Sequence, residues 1–148
     1  MRWWIVRGVG LAAMAALATV GVIGPATAAS KAPVNLGEKV NNKGSKDVSG
    51  QNKAKLDVEL DDFYFEPTFI KAKAGQKITI EAENEGSTLH TFTSDKLKVD
   101  KQLQAGKKAT FTVTVPKSGA VFEFHCDLHV SQGMAGGVYT KVGGSASS

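Results

Sequence analysis

Phe122-Glu123-Phe124-His125-Cys126-Asp127-Leu128-His129-Val130-Ser131-Gln132-Gly133-Met134 decides how this chain is read. The first half alternates: Phe122, Phe124 and Cys126 share one face, while Glu123 and His125 take the other. That is the period of a strand with one side on a core, and it puts the thiol inward at the strand's end. Beyond Cys126 the rhythm stops. Gly133, Gly136 and Gly137 give the stretch 127–137 the freedom to fold back, so that His129 and Met134 can reach the thiol.

These residues are scarce elsewhere. The 148-residue chain holds one Cys, three His (His90, His125 and His129) and three Met, of which Met1 and Met14 lie in the N-terminal segment described below. His90 must come from a separate strand or turn, and residues 89–93 suit that role. A thiolate, two imidazoles and a thioether form the donor set of a blue-copper centre: soft sulfur holds Cu(I), imidazole suits both oxidation states, and a weak axial thioether tunes the potential. Cys126 must lose its proton to bind, so affinity should fall in acid.

Working outward, residues 1–28 read as a signal peptide. Arg2 and Arg7 form a basic start, Gly8 to Gly24 an apolar stretch, and Ala26-Thr27-Ala28 a small-x-small cleavage pattern. An uncleaved anchor is the alternative, since the stretch is near the lower limit for spanning a bilayer. The expected address is therefore outside the cytoplasm, periplasmic or secreted, and tethered to the membrane if cleavage fails. There, an unpaired cysteine is intermolecular, idle or a ligand. Without residues 1–28 the chain carries 16 Lys against 14 Asp plus Glu, a net charge of +2, and shows no basic stripe for nucleic acid.

Residues 29–54 are rich in Asn, Lys, Gly and Ser, with a few scattered larger apolar residues, and read as a flexible polar leader. Their lysines allow a loose association with a membrane surface, although solvation of the leader is the plainer reading of them. Residues 143–148 read as a flexible tail. Between them, 55–142 is expected to be one domain, all-β. Leu56, Val58 and Leu60, then Ile78 and Ile80, then Phe111, Val113 and Val115, alternate with polar residues as strands do. Ala74-Gly75-Gln76, Glu85-Gly86-Ser87, Ala105-Gly106-Lys107 and Lys117-Ser118-Gly119 punctuate them as turns. Such spacing points to a sandwich or barrel. Phe63 to Pro67 is expected to cross one end of it without ladder pairing.

At this point the chain resembles the cupredoxins, small blue-copper proteins of the plastocyanin, amicyanin and azurin type. The resemblance runs from Leu56 to about Val142. It rests on the Phe122–Met134 segment, with support from Phe65-x-Pro67, Ala74-Gly75, Asn84-Glu85-Gly86 and His90-Thr91-Phe92. It implies a Greek-key β-sandwich with one type 1 copper ion near one end, His90, Cys126 and His129 as equatorial ligands and Met134 as the axial one. The implied function is single-electron transfer between redox partners by a monomer. The partners would dock at an apolar patch where His129 nears the surface, ringed by Leu89, Val130, Met134 and Ala135. Two positions depart from the family pattern: Thr91 stands where a bracing Asn is common, and His125 where an aromatic residue often precedes the cysteine. A solvated strand histidine is the plain reading of His125.

Copper buffering or delivery with the same ligands is the alternative, although the segment after residue 28 has one Met and no Met-rich or His-rich tract. Enzymatic chemistry is not expected, because four protein donors leave no open position for substrate. A second copper centre would need cysteines or histidines that the chain lacks.

Overall fold

The computed structural model describes residues 31–146, so the signal-peptide reading of 1–28 lies outside the described residues. Ten strands and one short 3-10 helix make up the regular structure among them. They form two sheets that face each other.

One sheet contains β2 (Ala54–Asp61), β3 (Tyr64–Glu66), β5 (Lys77–Asn84) and β8 (Lys108–Thr114), in the order β3-β2-β5-β8. β2 and β5 run parallel, with Leu56 opposite Ile80 and Leu60 opposite Asn84. The alternation seen in sequence is the alternation of burial: Leu56, Val58, Leu60, Ile78, Ile80, Ala82 and Val113 are buried and their polar neighbours lie outward.

The other sheet contains β1 (Ser45–Asp47), β4 (Phe69–Lys71), β6 (His90–Ser94), β7 (Val99–Leu103), β9 (Val121–His125) and β10 (Ala135–Tyr139), in the order β1-β4-β10-β9-β6-β7. β9 pairs antiparallel with β10, and β10 runs parallel to β4. Phe65, Phe92 and Phe124 meet between the sheets, with Phe92 stacked on Phe124 at 4.5 Å and Phe65 edge-on to both. Such pairs add about 0.5–1.5 kcal/mol each beyond the apolar area they bury. This aromatic cluster is the floor beneath His90 and Cys126, which lie two residues from Phe92 and Phe124 on the same faces.

Two expectations need correcting. Most of the segment read as a flexible polar leader is built into the fold: from residue 31 onward it is ordered. Val34 and Leu36 are buried with Phe69, Val121, Ala135 and Tyr139 on the outer face of the larger sheet, where Val40 packs as well. β1 then pairs with β4, and Val48 joins the main core. The described part of the expected tail is ordered too, because Asn35 bridges to Ser145 and the Gly143 N–H donates to the Pro33 carbonyl. Residues 33–41 thus form a strap across a sheet face that would otherwise expose apolar side chains.

Phe63 to Pro67 also differs from expectation. Tyr64–Glu66 is a ladder strand, with Phe65 opposite Leu60, and Phe63 turns the chain at φ 71°, a left-handed conformation uncommon for a residue with a Cβ. The Glu66–Pro67 bond is cis.

Candidate metal centre

His90 opens β6, and the loop before it is organised by Asn84. The wholly buried Asn84 carboxamide donates to the carbonyls of Thr88 and Leu103 at 2.7 Å each and accepts the Gly86 N–H at 3.0 Å. Gly86 lies against the histidine ring so closely that a Cβ there would sit 2.7 Å from His90 Nε2.

Cys126 follows β9 directly. Its N–H donates to the Met134 carbonyl, and its own carbonyl accepts the His129 N–H, both at 3.0 Å. His129 precedes the 3-10 helix Val130–Gln132, which ends at Gly133 in the left-handed conformation, φ 98°. Gly133 lets the chain turn there, and the Met134 N–H returns to the His129 carbonyl at 3.2 Å. The loop therefore closes on itself and brings both flanking ligand candidates back to the thiol.

Three donor atoms converge. His90 Nδ1 and His129 Nδ1 are 3.1 Å apart, and they lie 3.8 and 3.5 Å from Cys126 Sγ. Among the described residues no other set of three His, Cys, Asp or Glu side chains meets in this way. A divalent ion held in a plane by two nitrogens at about 2.0 Å and a sulfur at about 2.3 Å would separate the nitrogens by about 3.5 Å and each nitrogen from sulfur by about 3.7 Å. The observed triangle is within a few tenths of an ångström of that, so the side chains fit a metal ion without rearrangement. Met134 is wholly buried in the same core cluster as Cys126, with its backbone tied to both Cys126 and His129.

Burial, and then the neighbouring His129, hold the His90 imidazole below the ordinary histidine pKa. A neutral ring keeps its inward lone pair available to a metal. His90 Nε2 is buried without a hydrogen-bond partner, and the carboxylate of Asp62 is 3.8 Å away.

Thr91 does the bracing. Its backbone N–H points at Cys126 Sγ, its hydroxyl accepts the Asp127 N–H at 2.9 Å, and Thr93 ties the same Asp127 carboxylate at 2.9 Å. His125 lies on the outer face, half-buried, with one ring nitrogen 3.2 Å from Glu123 and the other 3.2 Å from Asp127. It is thus held by two carboxylates rather than simply solvated.

Of the three converging residues, His129 alone reaches the surface. The expected ring around it is partly wrong: Leu89 and Val130 are half-buried at the rim, but Met134 and Ala135 are fully buried. Phe63, 36% exposed, stands there instead, its ring meeting the His129 ring edge-on at 5.1 Å, and Leu128, the residue before His129, is 53% exposed. Sequence reading missed Phe63 because nothing local links a turn at residue 63 to a loop at 129.

The profile of the cupredoxin-like domain family matches residues 14–136, and the chain belongs to that family. No curated protein matches. Among solved structures the chain is similar to Na-dithionite-reduced auracyanin from the photosynthetic bacterium Roseiflexus castenholzii, at 16% identity and a TM-score of 0.50, covering 60% of this chain and 97% of that one. It is also similar to a chain in the structure of a heme-copper terminal oxidase dimer, at 13% identity and a TM-score of 0.52, covering 81% of this chain and 80% of that one. Both likenesses concern the fold.

Proposed function

We propose that this protein is an exported carrier of single electrons in which His90, Cys126, His129 and Met134 hold one copper ion. The observation that carries the reading is the triangle of two imidazole nitrogens and one sulfur, already at metal-binding separations on a braced frame. Bound copper would supply the Cu(I)/Cu(II) couple. The chain's own residues do the rest. Thr91 directs an N–H at the sulfur, which draws charge from it and bears on the potential. The Phe65, Phe92 and Phe124 cluster excludes water and keeps the ligands from rearranging between oxidation states. His129 is the exit, and the apolar rim of Phe63, Leu89, Leu128 and Val130 is a small docking surface for redox partners, of the kind that permits rapid exchange. Export follows from the signal-peptide reading of residues 1–28. With four protein donors around the ion, no position remains for a substrate, so the protein is a carrier and not an enzyme.

Titrating purified protein with Cu(II) while recording the visible spectrum tests this. An intense blue or green thiolate-to-copper band, absent in Cys126→Ser, is expected. A colourless protein that binds only Cu(I) would overturn the carrier reading in favour of copper buffering or delivery.

A further inference from the structure

We propose that Asn41, in the strap outside the sandwich core, is a positioning residue for the metal centre; this rests on the copper-site reading above. One residue grips two separate loops at once. Its side-chain amide donates to the Gln132 carbonyl at 2.9 Å and to the Phe63 carbonyl at 2.8 Å, and its backbone N–H donates to the Gly133 carbonyl at 2.9 Å.

Gln132 and Gly133 are the last residues before Met134 in the loop that His129 begins. Phe63 carries the ring that buttresses His129. Asn41 therefore fixes the loop bearing two ligand candidates and the wall against one of them. The contact with Gly133 is close: a Cβ at that residue would lie 3.0 Å from three atoms of the Asn41 side chain. Gly133 is thus required by its left-handed backbone and by the carboxamide seated on it.

Phe63 adds a second reason for an anchor. A non-glycine residue at φ 71° persists only where its surroundings hold it, and the hydrogen bond from Asn41 to its carbonyl is such a hold. The chain beside Asn41 is itself secured, since the buried Thr68 hydroxyl accepts the Lys43 N–H at 2.7 Å and donates to the Phe65 carbonyl at 2.8 Å, with the Asn41 carbonyl 3.4 Å from the same oxygen. The chemistry selects asparagine: two donors on one planar nitrogen reach two carbonyls, which Asp cannot do and Ser can do only once. Outer partners that orient metal ligands in this way commonly matter to affinity as much as tenfold or more.

The test compares Asn41→Ala, Asn41→Asp and Leu36→Ala. Leu36→Ala weakens the strap where it packs on Gly137 of β10 and leaves the donors and acceptors of the three Asn41 hydrogen bonds in place. In metal-free protein, amide hydrogen exchange is followed at Gln132, Gly133 and Met134, with Ile78 and Ile80 in β5 as reference. Both Asn41 variants are expected to speed exchange in the loop by about tenfold relative to β5, whereas Leu36→Ala speeds both together. In copper-loaded protein the Asn41 variants should shift the thiolate band, and Leu36→Ala should leave it in place. The proposal is overturned if Asn41→Asp keeps the loop protected, or if the Asn41 variants change the loop and the band no more than Leu36→Ala does. If the unmutated protein shows no thiolate band, the copper reading fails, and the metal-free exchange contrast still decides whether Asn41 holds the loop.

Discussion

The Thr91 backbone N–H donates to the sulfur of Cys126 at 3.3 Å, while the Thr91 hydroxyl accepts from the N–H of Asp127, the residue after that cysteine. One threonine thus holds both the thiol and the start of the loop that follows it. Thr91→Val keeps the branched shape and removes the hydroxyl, which leaves the Asp127 N–H without its acceptor and loosens the bond to sulfur. A thiolate with less hydrogen bonding favours Cu(II), so the reduction potential should fall, by about 40 mV for about 1 kcal/mol of hydrogen bond. Voltammetry of the copper-loaded variant checks this, and an unchanged or higher potential would count against it.

Gly86→Ala should disturb the opposite ligand. The added methyl would lie 2.7 Å from His90 Nε2 and 3.0 Å from an Asp62 carboxylate oxygen, so the ring or the turn must move. Overpacking of this kind costs about 1–3 kcal/mol. Copper affinity in competition with a chelator is expected to drop at least about tenfold by the same reasoning; wild-type affinity would show that the turn yields freely.

Leu128→Asp separates docking from binding. Leu128 is more exposed than Phe63, 53% against 36%, and is not one of the three converging side chains. Electron exchange with partner proteins should slow while the copper spectrum stays unchanged. Phe63→Ala, which removes the edge contact on His129, should alter both. Equal exchange rates for Leu128→Asp and the unmutated protein would move the docking surface elsewhere.

Leu36→Ala tests whether the strap belongs to the folding unit. Leu36 is 8% exposed and packs over Gly137, so truncating it should cost about 2–4 kcal/mol in chemical denaturation. A loss below about 0.5 kcal/mol, typical of surface sites, would return this segment to the status of a tether.

Glu38 offers a pH signature. Partial burial, and then the nearby Glu123 carboxylate, push its carboxyl up to about 6 from 4.5, against an opposing pull from His125. The folded chain holds a proton there that the unfolded chain releases, so this group's contribution to stability declines as pH rises from 4.5 to about 6. Glu38→Gln should therefore stabilise the protein at pH 7, by no more than about 1 kcal/mol because Glu38 is exposed to screening solvent. Near pH 4 the gain should vanish. Equal melting-temperature gains at both pH values would be inconsistent with this origin.

The strands of the sandwich were legible because their burial is local: Leu56, Val58 and Leu60 state their own face through alternation. The candidate loop was legible because Cys126, His129 and Met134 are close in sequence and chemically unusual. The strap was not. Val34, Leu36 and Val40 are sparse among polar residues, and their burial depends on an outer sheet surface made by Phe69, Val121, Ala135 and Tyr139. Nothing within residues 29–54 announces that surface. The strand at Tyr64–Glu66 was hidden for a related reason: its turn uses Phe63 in a conformation usually signalled by glycine. The rim around His129 was misread at Met134 and Ala135, which follow the loop inward and are fully buried.

The chain's two described ends meet at one pole. Residues 33–35 pair with 143–146 beside Ala120 and Val121, and β9 then runs from there to Cys126, about 16 Å away at about 3.3 Å per residue. An attachment made at the described ends, near residues 33 and 145, would grip the molecule by its base and leave the His129 face pointing outward. Immobilised in that orientation, the protein would present the His129 face to solution without further engineering.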